Sequence, residues 1–347
     1  MSVPVDVGPA TFAEHTTLRV GGPVLRWIVA RTEAACIEAI VECDDIGGLS
    51  LVVGGGSNIV CSDDVFNGTV VQVAHTGVAT ADRGGHLRVV AAAGEPWDQL
   101  VARTLEEGSA AFAPLSGIPG LVGATPIQNV GAYGAEVSQF VTSVRVWDRR
   151  DRLVRELTDE ECEFGYRSSI LKEQPDRYVV LEVVFDLPQD ESVVVGYQQL
   201  ADALGVRVGD AVEGERVREA VLELRRRKGM VLDAADHNTW SVGSFFVNPV
   251  IDIHAAETLP AGCPTYPSES GVKVSAAWLI ENSGIERGFA LPGSGACIST
   301  QHTLAICNAG NATSSDVVAL ARDIRSRVLD RFGVELVPEP RLIGCAL

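Results

Sequence analysis

Residues 114–134 read PLSGIPGLVGATPIQNVGAYG, and the rest of the chain is most easily understood outward from them. Gly117, Gly120 and Gly123 recur every third residue, Gly131 and Gly134 follow, and no Asp, Glu, Lys or Arg interrupts the stretch. A surface loop of this length normally carries charge to stay solvated. A chargeless one is expected to be buried, where its backbone N–H and C=O groups must find partners. Glycine permits positive φ and lets another molecule approach the main chain closely. The polar side chains Ser116, Thr125, Gln128, Asn129 and Tyr133 are neutral donors or acceptors. Such a loop suits a large planar ligand with several heteroatoms, or its pyrophosphate. The plainer alternative is a tight internal turn packed on its own core.

Upstream, the strand-like Leu49–Val53 runs straight into Gly54-Gly55-Gly56-Ser57-Asn58. A strand entering a glycine-rich turn with Ser and Asn fits a phosphate cradle, and fits an ordinary loop as well. A dinucleotide fingerprint would need a further glycine where Ile59 stands, so that reading is rejected. Thr32 can cap a helix through about Cys43, with Ala34, Ile37, Ile40 and Val41 on one face. Pro96 opens a second helix, with Trp97, Leu100, Val101, Thr104 and Leu105 on one side and Gly108 as its stop. Strands are expected at 24–30, 69–73, 86–93, 141–147, 152–157 and 178–187. Residues 188–210 turn polar and lose strand character, which marks a boundary with a mobile binding loop around Tyr197. Downstream, helices are expected at 212–228, 275–281 and from Ser314 or Ser315 to Phe332. A turn and strand at 294–308 carries Gln301-His302 in its middle, and a strand is expected at 334–337.

The chain has 347 residues, 46% hydrophobic and 21% charged, enough for two or three domains with substantial cores. A net charge of −18 argues against nucleic acid or an anionic membrane as partner. A small anion can still be held by local arginines. There is no apolar run of roughly 18 residues and no basic, apolar leader at the N-terminus, so a cytoplasmic protein is expected. The eight cysteines show neither C-x-x-C nor metal-ligand spacing with histidine. They read as reduced, mostly buried thiols, with Cys345 as a candidate reactive exception.

Several polar residues stand in apolar surroundings. Arg167 lies in Phe164-Gly-Tyr-Arg-Ser-Ser-Ile-Leu171 and needs an anionic partner, whether a ligand or a nearby carboxylate. Ser244, between Gly243 and Phe245-Phe246, is either satisfied by backbone or available for proton transfer. Glu339 is fixed between two prolines and beside Arg341. Arg225-Arg226-Arg227-Lys228 ends a helix, where basic residues suit the dipole, and can equally meet a phosphate. His302 reads as a core histidine. No Ser-His-Asp set, metal site or P-loop is present.

Taken together, these stretches resemble the UDP-N-acetylenolpyruvoylglucosamine reductase family, FAD enzymes of peptidoglycan precursor synthesis. The matching pieces are Thr16-Thr-Leu-Arg-Val-Gly-Gly22, Val53-Gly-Gly-Gly-Ser-Asn58, Pro114-Leu-Ser-Gly-Ile-Pro-Gly120, Pro126-Ile-Gln-Asn-Val-Gly-Ala-Tyr-Gly134, Tyr166-Arg-Ser-Ser169, Gly243-Ser-Phe-Phe246, Ala277-Trp-Leu-Ile280 and Glu339-Pro-Arg341. The resemblance implies an α+β architecture. A two-subdomain FAD-binding fold of the vanillyl-alcohol-oxidase (PCMH) type would be followed by a C-terminal α+β substrate domain. Residues 1–73, joined by a C-terminal strand at 334–347, would form the first FAD-binding subdomain, 74–210 the second and 211–333 the substrate domain.

The same resemblance implies the roles of the site residues. Arg167 and Glu339 would be catalytic and Ser244 the proton donor. FAD, bound without a covalent link, would contact Gly54, Gly55, Gly56, Ser57, Asn58, Ser116, Gly117, Ile118, Gly120, Gly123, Thr125, Gln128, Asn129, Gly131, Ala132, Tyr133 and Arg341. Tyr197, Lys228, Asn248 and Lys273 would meet the sugar nucleotide, Tyr197 as the closing tyrosine of the subgroup with a mobile tyrosine loop. NADPH would be the hydride donor, UDP-N-acetylglucosamine enolpyruvate the substrate, and the protein a monomer. Val247 stands where the family often has Lys, and Ala124-Thr125 where it has a Ser pair. Two rival classes remain at this stage: a flavin oxidase of the same fold acting on another substrate, and a non-catalytic flavin-binding or sensing protein.

Overall fold

Strand Ser50–Val53 pairs in parallel with Phe66–Val73, matching Ser50 to Thr69 and Val53 to Gln72, and so aims the chain into the glycine turn at Gly54. In the computed structural model, which describes residues 5–268 and 271–347, these two strands share a four-stranded sheet with Pro23–Ala30 and Val5–Thr11. The chain forms two compact units. One comprises residues through Pro9, Leu25–Gly55 and Asn67–Arg226; the other comprises Ala10–Val24, Gly56–Phe66 and Arg227–Leu347.

In the first unit a five-stranded antiparallel sheet runs in the order Leu153–Thr158, Val141–Asp148, Tyr178–Pro188, His86–Ala92, Val78–Asp82. The central strand Tyr178–Pro188 is apolar along most of its length because a neighbour flanks each edge and core lies against it. Helix Trp97–Glu106 buries Trp97, Leu100, Val101 and Thr104, and Trp97 packs at 4.9 Å on Phe112, which meets Phe185 edge-on at 5.1 Å. Helix Glu33–Asp45 starts where expected, with the Thr32 hydroxyl accepting from Ala35 N–H. Helix Gly214–Arg227 buries Val217 and Val221 against Ala113, Val195, Leu200 and Ala201.

The second unit is built on helix Ser314–Phe332. A reciprocal cap between Thr313 and Asp316 opens it, and Gly333 at φ 66° closes it. Its inner face, Val317, Leu320, Ala321, Ile324 and Val328, shares a core with Phe245, Phe246, Leu279, Ile280, Ile298 and Ile306. The C-terminal strand Arg341–Ile343 runs parallel to Ile59–Cys61, pairing Arg341 with Ile59.

Several sequence expectations shift. The long helix is capped by Thr313 rather than Ser314 or Ser315. Residues 334–337 form no strand; alternate burial of Val334 and Leu336 imitates one, while the pairing falls to Arg341–Ile343. Gln301-His302 lie in the turn between the paired strands Ala296–Ile298 and Ile306–Asn308, not within a strand. Residues 188–210, expected to lose strand character, carry regular structure. Ser192–Val194 pairs with Ala211–Glu213, and Tyr197 opens the short helix Gln198–Leu204.

Candidate active site

The chargeless stretch folds mostly inward: Ser116 is fully buried, Thr125 and Asn129 nearly so, and Ile127 is its one well-exposed apolar side chain. Its turns are held from inside. The Ser116 hydroxyl donates to Ala113 O at 2.7 Å and Thr125 Oγ1 to Val122 O at 2.8 Å. Asn129, at φ 45°, donates through Nδ2 to Glu136 Oε2 and Gly165 O, and accepts Ser138 N–H on Oδ1. The glycines answer two different needs. At Gly55 an added Cβ would stand 3.3 Å from Gly120 Cα, so the strand-end turn and the long loop meet backbone to backbone. At Gly123 an added Cβ would overlap Ala93, and at Gly131 it would come within 2.7 Å of Glu136 Cγ. These two positions therefore require glycine for the loop's own packing.

Arg167 also takes a left-handed backbone, φ 54°. Its guanidinium donates to Asn129 O at 3.1 Å and Gly131 O at 2.6 Å. The loop thus supplies two carbonyl partners for a residue whose surroundings suggested only an anion. Tyr133, at φ 51°, stacks edge-on against Tyr197 with ring centres 5.9 Å apart. Burial pushes the Tyr133 phenol up, Arg225 opposing and Tyr197 reinforcing.

A carboxylate missing from the sequence reading anchors this region. Asp98, in the first turn of helix Trp97–Glu106, accepts Gly117 N–H at 2.6 Å and takes a bidentate pair from Arg218, both bonds 2.7 Å. Desolvation pushes its carboxyl up. Hydrogen bonds from Arg218 and Gly117, with the charges of Arg218 and Arg225, outweigh this and hold it below the usual range. The available signal was an acidic residue opening a helix beside a loop without charge.

In the second unit, Glu339 N–H donates to Phe245 O at 2.8 Å, and Phe246 bridges to Pro338. Glu339 is thereby tied one residue from Ser244. Arg341 N–H donates to Asn58 O at 3.0 Å, and Asn58 Nδ2 reaches Glu339 O at 3.5 Å. Gly56 lies so close to His15 O that no side chain fits. Asn248 Oδ1 accepts Ala276 N–H, capping a helix, and Lys273 lies 5.9 Å from the Tyr266 ring. Val247, where the resemblance led one to expect lysine, joins the same backbone ladder through N–H to Val337 O. Among the described residues the Ser244 hydroxyl makes no hydrogen bond, although Ser241 three residues earlier accepts from Gly243. The half-buried Cys345 thiol donates to Val60 O, and burial pushes it up. Cys36, Cys61, Cys162 and Cys307 are likewise pushed up by burial, to about 12. A surface groove of about 710 Å³, lined by residues including Asp44, Ser50, Arg149, Arg150 and Arg177, contains none of the predicted site residues.

Residues 25–156 match the profile of an FAD-binding domain family, and residues 235–343 match the C-terminal domain of UDP-N-acetylenolpyruvoylglucosamine reductase. The chain is 48% identical to the protein of that name from Cutibacterium acnes, over 96% of this chain and 89% of the relative. It is 46% identical to that from Saccharopolyspora erythraea, over 98% and 96%. Among solved structures, the UDP-N-acetylenolpyruvylglucosamine reductase of Thermus caldophilus superposes with a TM-score of 0.65 at 24% identity, covering 98% of this chain and all of that one. The architecture is the expected α+β one, with an FAD-binding domain and a C-terminal domain matched to that of the reductase.

Proposed function

The chain belongs to the UDP-N-acetylenolpyruvoylglucosamine reductase family, and on that premise we propose the reaction it carries out and the residues that perform it. It is an FAD-dependent oxidoreductase that uses NADPH to reduce the enolpyruvyl double bond of UDP-N-acetylglucosamine enolpyruvate. The product is UDP-N-acetylmuramate, a peptidoglycan precursor. The observation that carries the assignment of roles is the Ser244 hydroxyl, half-buried and without a hydrogen-bond partner among the described residues.

The residues of the first unit fit FAD: Gly54 and Gly55 pack closely on Gly120 and Leu121, which sets a turn rich in glycine beside a neutral, buried loop whose main chain another molecule can approach. Gly54, Gly55 and the loop residues Ser116 to Tyr133 would hold it there, and Gly56, Ser57, Asn58 and Arg341 complete the proposed contacts. FAD, when bound, supplies hydride relay from NADPH to the terminal carbon of the enol ether. Arg167, pre-set by two loop carbonyls, stabilises negative charge developing on the substrate carboxylate, assisted by Glu339. Ser244 then gives its proton to the adjacent carbon. A serine hydroxyl is a weak acid, so it suits only a strongly basic, carbanion-like acceptor, which this substrate provides. Tyr197, Lys228, Asn248 and Lys273 would bind the sugar nucleotide.

In functional terms, residues 1–73 with the C-terminal segment 334–347, residues 74–210 and residues 211–333 are read as two FAD-binding subdomains and a substrate domain. The pairing of Arg341–Ile343 with Ile59–Cys61 supports the first of these. No described helix is long and apolar enough to cross a membrane, and we read the enzyme as a cytoplasmic monomer. The visible spectrum tests the whole reading. The purified protein should show a flavin band that NADPH bleaches and the enolpyruvyl nucleotide restores. Rapid recovery with O₂ alone, and none with the nucleotide, would point to an oxidase instead. Neither 54–58 nor 114–134 contains the His or Cys that a covalent flavin link uses, so acid precipitation should release all the colour.

A further inference from the structure

The turn Thr16-Thr-Leu-Arg-Val-Gly-Gly22 has no role in the reaction as described above, yet it is tightly built. Arg19 holds φ 55°, a conformation a non-glycine residue keeps only when its surroundings over-determine it. Buried Asn308 does so. Its Nδ2 donates to Leu18 O at 3.2 Å and Arg19 O at 3.1 Å, while its Oδ1 accepts from Gly310 and Ala312. The turn then grips the start of another loop. Thr17 Oγ1 donates to Ser241 O at 2.7 Å in a buried bond, and Asn308 N–H donates to Trp240 O at 3.0 Å. The Arg19 guanidinium lies 3.9 Å from the centre of the Trp240 ring, and His237 packs on the same indole at 4.1 Å. His237 is itself fixed by Ala309 O and by Gly310, where a Cβ would come within 2.7 Å of the imidazole.

Beyond this grip, the loop is next pinned at Phe245, whose N–H donates to Leu304 O at 2.7 Å and whose carbonyl accepts from Glu339. Between the two anchors stand only Val242, Gly243 and Ser244, with Gly243 at φ 77°. Ser244 is therefore placed by its anchors rather than by bonds of its own. We propose that Arg19 is a positioning residue for the proton donor: its cation–π contact with Trp240, together with the Thr17–Ser241 bond, sets where the Ser244 hydroxyl stands. This rests on Ser244 being the donor.

The test uses holoenzyme and compares Arg19→Ala, Arg19→Lys and Trp240→Phe by stopped-flow absorbance of the flavin. In Arg19→Ala, flavin reduction by NADPH should stay within about twofold of the parent, while reoxidation by UDP-N-acetylglucosamine enolpyruvate slows by roughly 3–30-fold, the range of a lost cation–π contact. Arg19→Lys should recover most of that loss, and Trp240→Phe should fall between. Hydrogen exchange gives a readout independent of turnover: amides of 240–246 should exchange faster in Arg19→Ala, with those of 276–282 unchanged. Equal slowing of both half-reactions, no rescue by lysine, or unchanged exchange at 240–246 would each overturn the proposal. If Arg19→Ala fails to fold, the other two variants decide it. Ser244→Ala, run alongside, separates the two readings. Unimpaired reoxidation there removes the donor role, while the exchange data still show whether Arg19 holds the loop.

Discussion

Ser244 and Gly123 show how differently single residues bear on this protein. The Ser244 side chain makes no hydrogen bond within the described structure, so truncating it leaves the loop's anchors intact. Ser244→Ala is expected to reduce its flavin with NADPH at near the parent rate and to be reoxidised by the enolpyruvyl nucleotide about 10²–10⁴-fold more slowly. Ser244→Cys should retain part of the activity. Equal loss in both halves would make the hydroxyl structural. Gly123 is the opposite case. The resemblance implies flavin contact at Gly123, and contact alone would cost a substituted protein its flavin without its fold. The structure sets Ala93 against it, so Gly123→Val overpacks the core under the loop. Loss of flavin should then come with lower stability, by about 1–3 kcal/mol. A colourless variant with an unchanged apoprotein melting temperature would contradict this.

Among the elements, helix Trp97–Glu106 fixes the start of the glycine-rich loop at 114–134. It buries Trp97, whose indole N–H donates to Leu115 O, and it presents Asp98 to Gly117 and to Arg218 of helix Gly214–Arg227. One carboxylate thus links two helices and the first turn of the loop. Asp98→Ala should weaken FAD binding by at least tenfold, since a charged hydrogen-bond acceptor is lost at a backbone that must hold positive φ. Asp98→Asn, which keeps an acceptor for Gly117, should lose less. Titration of apoprotein with FAD, followed by flavin fluorescence, measures both. Equal affinity in parent and Asp98→Ala would show that the loop holds itself. At the same scale, Tyr197 opens a short helix whose Leu200 and Ala201 are buried.

At the scale of the whole molecule, acid stability depends on a few satisfied carboxylates within a strongly acidic chain. The Asp148 side chain is fully buried. Desolvation pushes its carboxyl up, but the hydrogen bonds of Arg177 and of the Asp151 and Arg150 amides, together with the Arg177 charge, hold it below the usual value. A carboxyl with a depressed folded-state pKa stabilises the fold above its unfolded value of about 3.9, and that contribution is lost as pH falls through the folded-state value. Asp148→Asn should therefore melt below the parent at pH 7, and the gap should narrow below about pH 4. A gap that persists unchanged at pH 3 would assign the effect to packing. Sedimentation at the mass of one chain checks the monomer reading.

Much of this protein is written in local sequence. Glycine spacing and missing charge in 114–134 announce a buried loop, because solvation and backbone freedom are properties of the residues themselves. Thr32 as a cap and Gly333 as a stop follow for the same reason. The family resemblance, carried by short motifs in order, led to the fold class and the reaction. Tertiary structure decided what each of those residues touches. Arg167 meets the carbonyls of Asn129 and Gly131; Gly123 is pressed against Ala93; Asp98, Thr17 and Arg19 became anchors. Each of these contacts joins residues distant in the chain, such as Thr17 and Ser241. A hydrogen bond across that separation depends on how intervening elements pack, and no local pattern of residue types records it.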